Sequence, residues 1–249
     1  MNAPDNRAAV EPYVLAACDA RGVVTLTLNR PQQFNALSEE MMSALQAEFD
    51  RLKDDAAARV VVIAAAGKAF CPGHDLKQMR ANPSVDYYRR LFAQCSKLML
   101  SLQRLPQTVI ARVQGIATAA GCQLVAMCDL AVAEDDARFA VSGINVGLFC
   151  STPGVALSRN VGRKQAFEML VTGDFIDAPT ALARGLVNRV VPAADLDAEV
   201  QRLAGAIIAS AGTSESRTDA VPEVGDTDNT LAMTLTSPPP GSGPLSSTV

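Results

Sequence analysis

The chain is short of the groups on which much protein chemistry rests. It has a single histidine, His74, so no multi-histidine metal site can be assembled. Its six cysteines (Cys18, Cys71, Cys95, Cys122, Cys128 and Cys150) include no C-x-x-C pair, and no Cys/His cluster takes the place of one. Most of them lie in apolar segments and read as reduced core thiols of a reducing compartment, with Cys71 and Cys122 the two that could line a pocket. Neither G-x-G-x-x-G nor a Walker A loop is present, which argues against nucleotide hydrolysis and hydride transfer. Aromatic residues make up only 4% of the chain, and no run of residues approaches the length of a membrane span. With a net charge of −4 there is no electrostatic case for binding nucleic acid or an anionic membrane. The opening MNAPDNRAAVEPY carries acids and proline and no apolar core, unlike a secretory signal or a transit peptide. A cytoplasmic location is the expectation, or a mitochondrial one in a eukaryote.

What the chain does have is length, 249 residues, and an Ala-, Val- and Leu-rich composition that is 49% apolar. That is enough to bury a substantial core. VVTLTLNRP (23–31) alternates as a strand does and ends in a turn. Ser38 is placed to cap a helix whose apolar face is Met41, Met42, Leu45, Phe49 and Leu52. RVVVIAAAG (59–67) reads as a buried strand, 85–105 as an amphipathic helix stopped by Pro106, and 108–115 as a further strand. Short strands follow in 130–141. Beyond GLFCSTPG the pattern turns helical, with one more strand at LVNRVV and a last helix ending at Ser210. Strands alternating with helices predict an α/β layered domain. From residue 211 the chain is rich in Ser, Thr, Pro and Gly and has neither Lys nor an aromatic residue. Such a composition cannot bury enough apolar area to offset its ordering entropy, so 211–249 is expected to be a disordered tail.

Two loop-to-helix junctions carry the chemistry: Cys71-Pro72-Gly73-His74-Asp75 and Ala119-Ala120-Gly121-Cys122-Gln123. Helix starts present unpaired N–H groups. Two of them facing one point would form an oxyanion hole built from backbone. Each junction alone also fits an ordinary tight packing turn. Gln123, at the mouth of the second, is an amide and cannot move a proton at neutral pH.

LTLNRPQQFNAL (26–37), VVIAAAGKAFCPGHDLKQM (61–79), the stretch from Thr108 to Ala140 and GLVNRVVP (185–192) resemble, in order and spacing, the enoyl-CoA hydratase/isomerase (crotonase) family over residues 12–210. The resemblance implies an α/β fold of the crotonase (ClpP-like) kind, a spiral of ββα units, assembled as a trimer or hexamer, an assembly that the altered C-terminal segment is expected to weaken. It implies an acyl-CoA thioester substrate in fatty acid metabolism, CoA being part of the substrate and no separate cofactor being required. It places the two oxyanion donors on the backbone of His74 and Ala120, with the His74 imidazole as a general base a minor alternative. His74, Asp75, Leu76 and Lys77 would line the CoA path. Lys68 and Lys77 would meet nucleotide phosphates or else be solvated surface charges. The two glutamates of family hydratases fall on Gln123 and Gly143, with Ser142, Asn145, Cys150 and Ser151 near the second. Loss of both general acid/base groups predicts weak hydration, each being worth about 10²–10⁴ in rate. Restoring both as Gln123→Glu with Gly143→Glu is expected to act more than multiplicatively. A catalytically silent acyl-CoA-binding protein and a thioesterase or decarboxylase are the alternatives. Family members continue with helices that cover the acyl-CoA and bury subunit contacts, and here the Ser/Thr/Pro-rich segment stands in their place.

Overall fold

The computed structural model describes residues 11–210; the expected tail at 211–249 lies outside the described residues. The chain opens with the strands β1 (Val14–Cys18) and β2 (Val23–Leu28), an antiparallel pair. Helix α1 (Glu39–Leu52) begins at Ser38, whose side chain accepts from the Met41 N–H as an N-cap should. It buries Met41, Met42, Leu45, Phe49 and Leu52, the face its periodicity predicts. There follow β3 (Val60–Ala65), the short α2 (Leu76–Ala81) and the long α3 (Val85–Gln103), which ends ahead of Pro106. Then come β4 (Thr108–Val113), β5 (Ile116–Thr118), α4 (Ala120–Met127), β6 (Leu130–Glu134) and β7 (Arg138–Ala140). The remainder is α5 (Ser151–Asn160), α6 (Arg163–Thr172), β8 (Ile176–Asp177), α7 (Ala178–Ala183), β9 (Arg189–Val191) and α8 (Leu196–Ser210).

The main sheet has the order β1-β2-β3-β4-β6-β9 and is parallel from β2 onward. Both of its faces are covered. Val61, Ile63 and Ala65 of β3 turn into the large core beneath α1, α3 and α4, while Val60 and Val62 turn to the opposite face, against Leu196, Val200 and Ala204 of α8. A strand buried on both faces reads as an unbroken apolar run, which is why VVVIAA shows no alternation. A second, smaller sheet, β5-β7-β8, stands beside the first and holds the site.

Three readings of the sequence need correction here. The small sheet was not foreseen as a separate layer. LVNRVV pairs only over Arg189–Val191. The helix expected beyond GLFCSTPG begins inside that stretch, with Thr152, Pro153 and Gly154 in the first turn of α5, where a proline needs no N–H partner.

Candidate functional site

The first junction is fixed from three sides. The loop leaving β3 is clamped by the fully buried Asn35, whose Nδ2 donates to the carbonyls of Ala66 (2.8 Å) and Ala69 (2.9 Å). Gln114 Nε2 donates to the Gly67 carbonyl at 3.3 Å from the other side. Further along, the Cys71 N–H donates to Ile116 O and the Cys71 carbonyl accepts from the Thr118 N–H, both at 3.0 Å, so Cys71 joins the edge of β5. Thr118 Oγ1 adds a bond to the Pro72 carbonyl at 2.9 Å. On the opposite side the Leu37 N–H donates to Gly73 O (2.8 Å) and the Leu37 carbonyl accepts from the Asp75 N–H (3.4 Å). Residues 71–75 are thus a wedge between Leu37 and β5. Along an extended segment successive residues aim their backbone groups at alternate sides. Gly73 O and the Asp75 N–H face Leu37, so the His74 N–H faces away from it, toward the side of β5.

The second junction lies on that side. Ala119 is held at φ 49°, ψ −121°, a left-handed conformation that costs a non-glycine residue about 1–3 kcal/mol. Its own N–H donates to the Ala140 carbonyl at 3.0 Å and its carbonyl accepts from the Gln123 N–H at 3.0 Å. Ala120 opens α4, so its N–H has no carbonyl within the helix to bond. The two junctions touch. A β-carbon built on Gly73 would lie 3.1 Å from the Ala120 nitrogen, and one built on Gly121 would lie 2.0 Å from the Cys71 carbonyl oxygen. The glycines at these positions are what let the two backbones approach so closely.

The side chains are less uniform. Gln123 is 6% exposed, and its Oε1 is enclosed without a hydrogen-bond partner. The half-buried ring of His74 packs edge-on to Phe92, with centroids 5.5 Å apart, and its Nδ1 is enclosed and unpartnered. Burial lowers the His74 imidazole to about 4, opposed by the Leu37 backbone, so the ring is neutral at physiological pH. Asp75 caps α2, accepting from the N–H groups of Lys77 (2.8 Å) and Gln78 (3.2 Å), so helix capping is the role its geometry supports. Lys68, Leu76 and Lys77 are exposed.

Gly143 is buried in a 3-10 turn at 142–146, with its backbone against the Cys150 thiol. Asn145 is committed to the turn at Gly173, its Nδ2 lying 3.5 Å from that carbonyl. Ser142 is half-buried, and the exposed Ser151 lies on a shallow apolar groove of about 350 Å³ between α5 and α6, with Phe149, Val155 and Phe167. All six cysteines are free and five are buried, Cys18 being the exposed one. Burial pushes the thiols of Cys71 and Cys122 up to about 12, so both belong to the core rather than to a reactive wall. Among the described residues there is no group of three His, Cys, Asp or Glu that could hold a metal ion, and no helix long and apolar enough to cross a membrane. The supporting roles of Asn35 and Gln114 escaped sequence reasoning. The one signal was an Asn set in a turn-rich NRPQQFN stretch.

The chain compares closely with known proteins. The Enoyl-CoA hydratase/isomerase family model matches residues 19–223. Enoyl-CoA hydratase domain-containing protein 3, mitochondrial, of Xenopus laevis is 54% identical over 183 residues, which are 74% of this chain and 62% of that protein. The Homo sapiens protein of the same name is 47% identical over 194 residues, 78% of this chain and 64% of its own length. The matched part of the chain therefore spans less than two thirds of these curated relatives. Among solved structures, an enoyl-CoA hydratase of Mycobacterium smegmatis superposes with a TM-score of 0.79 at 68% identity, over 80% of this chain and 77% of that one. The human enoyl-CoA hydratase domain-containing protein 3 superposes with a TM-score of 0.76 at 46% identity, over 79% and 78% of the two chains. In sequence and in its crotonase fold, this chain belongs to the enoyl-CoA hydratase/isomerase family.

Proposed function

We propose that the chain binds an acyl-CoA thioester at the meeting of the two junctions and that the N–H groups of His74 and Ala120 polarise its carbonyl, with hydration of an enoyl thioester as a weak lyase activity. The observation that supports this reading is the closeness of the two junctions: a β-carbon built on Gly73, the residue before His74, would lie 3.1 Å from the Ala120 nitrogen. Donors fixed before the reaction stabilise the charge that grows on the carbonyl oxygen without reorganising. Hydration adds a water oxygen to the β-carbon and a proton to the α-carbon, and therefore needs a group that takes one proton and delivers another. Gln123 can do neither, Gly143 has no side chain, and the His74 imidazole, held neutral, is turned toward Phe92. Lys68 and Lys77 would meet the CoA phosphates and Leu76 its apolar parts, a role that the exposure of all three supports. CoA enters as part of the substrate, with no separate cofactor. Assembly into a homo-oligomer is part of the same reading, supported by the apolar groove between α5 and α6. The relatives named mitochondrial favour that compartment for a eukaryotic source, and the cytoplasm otherwise.

Loss of crotonyl-CoA absorbance, measured against a no-enzyme control and an ordinary hydratase, tests the proposal. The expected result is saturable binding with turnover at least about 100-fold below the hydratase. Turnover equal to the hydratase would show that another residue carries the proton. Binding with no turnover would favour the silent acyl-CoA-binding protein, and release of free CoA the thioesterase.

A further inference from the structure

Away from both junctions, a cavity of about 180 Å³ opens between α6, the turn that follows it, β8 and the end of α7. Arg184, just past α7, reaches across to α6, where its Nη2 donates to Glu168 Oε2 at 2.8 Å. The guanidinium is the inner member of this pair: the Arg184 side chain is 18% exposed and that of Glu168 58%. Nη1, the other tine of the fork, is enclosed and has no hydrogen-bond partner among the described residues. A buried donor in this state carries its full desolvation cost, so the place calls for an acceptor. Thr172 does not supply one. Its Oγ1 is engaged locally, donating to the Glu168 carbonyl at 2.9 Å and accepting from the Asp174 N–H at 3.2 Å. Among the described residues the rest of the wall is apolar: Met169, Phe175 and Ile176. The cavity is many times the space that one water occupies, and a water wants about two to four polar partners, so solvent matches such a wall poorly.

The acceptor called for is uncharged. Glu168 already balances the Arg184 charge, and Asp174 adds a second carboxylate to the wall. Arg138, whose guanidinium lies 4.6 Å from the Phe175 ring centroid, is itself opposite Asp177 in the β7–β8 pair. No surplus of positive charge is left to hold an anion, and a cation would have no lone pair for Nη1. An amide suits both sides of the cavity, since its carbonyl accepts and its N–H groups donate. We propose that this cavity binds a small uncharged carboxamide, its oxygen on Arg184 Nη1, its apolar body against Met169, Phe175 and Ile176, and its N–H groups toward Glu168 and Asp174. In the small sheet β8 stands beyond β7 from β5, so the site is separate from the two junctions and independent of the reading given to them.

Ligand-observed NMR titration of the full chain with benzamide, acetophenone and benzoate tests this. The three share a ring and a carbonyl carbon, and differ in carrying an amino group, a methyl group or a charged oxygen. Benzamide is expected to bind at least about tenfold tighter than benzoate, with acetophenone, which accepts but cannot donate, between them. Arg184→Lys keeps a cation for Glu168 and removes the fork, and is expected to weaken benzamide at least about tenfold. If that variant fails to fold by circular dichroism, Ile176→Trp, which fills the cavity from the edge strand, is expected to abolish benzamide binding instead. Benzoate binding as tightly as benzamide overturns the uncharged ligand, and acetophenone binding as tightly overturns the carboxamide, with no variant needed. Benzamide affinity unchanged in a folded variant overturns the site. Failure of the wild type to bind benzamide overturns the proposal outright.

Discussion

A β-carbon added to Gly143 would lie 2.4 Å from Cys150 Sγ and 2.5 Å from the Leu148 carbonyl oxygen, inside the contact distance of both. The Leu148 N–H is meanwhile tied back to the Gly143 carbonyl at 3.0 Å, so the carbonyl side of the turn has little freedom to withdraw. Gly143→Ala is therefore expected to destabilise the protein by about 1–3 kcal/mol in urea denaturation, and Cys150→Ala to recover part of that loss and not all. A Gly143→Ala protein as stable as wild type would show that the turn yields freely. The same crowding corrects an expectation from sequence: Gly143→Glu cannot restore a carboxylate to this position without moving the 142–150 segment, so pairing it with Gln123→Glu is not a simple rescue. His74 gives a second test at this scale. Folding lowers its imidazole from 6.5 to about 4, chiefly by burial. The unfolded chain thus binds a proton that the folded chain refuses. Its contribution to stability is whole above pH 6.5 and is lost as the pH falls through that interval, up to roughly 3 kcal/mol. Because the chain has one histidine, His74→Gln isolates the effect: stability measured from pH 7 to pH 4 is expected to fall less steeply in the variant. Parallel curves would show that the ring is solvated. Sequence could nominate Gln123 and Gly143 from a resemblance, but not the empty acceptor on one or the filled space around the other. Those depend on what the fold packs against them.

Among the elements, those with a full period of their own were legible. The cap and buried face of α1 match residue for residue, because each turn of a long amphipathic helix repeats the same information. The strands β5, β7 and β8 run to three, three and two residues, too short to show any period, and exist because other segments offer them edges. Both junctions adjoin that small sheet, so the part hardest to read is the part nearest the candidate site. Its contact with α4 depends on Gly121, which sits where a β-carbon would be 2.0 Å from the Cys71 oxygen. Gly121→Ala is expected to fold with unchanged helix content by circular dichroism, yet to bind acyl-CoA at least about tenfold more weakly, because the junctions must part. Unchanged affinity would mean that their contact is not needed for binding.

At the scale of the molecule, exposed apolar side chains among the described residues gather around α5 and α6. Phe149, Val155 and Phe167 are 49%, 54% and 62% exposed around one groove. An apolar patch of this kind commonly marks an interaction surface. Sedimentation velocity over a range of concentrations is expected to show self-association that the double variant Phe149→Ser, Phe167→Ser reduces. Identical profiles would show that this groove makes no contact between copies.

The wedge at 71–75 also has a consequence for when in time the site comes into being. It takes its register from Leu37 behind it in the chain and from Ala117 ahead, and the strained Ala119 is anchored to Ala140. Contacts between segments so far apart along the chain form only after the intervening loops have closed, and closure over long separations slows folding. The surface at which the thioester carbonyl would rest is therefore expected to form late in folding. A ribosome-bound chain that has not yet emerged past Ala140 already owns both donors and still lacks the carbonyl that anchors Ala119 beside them.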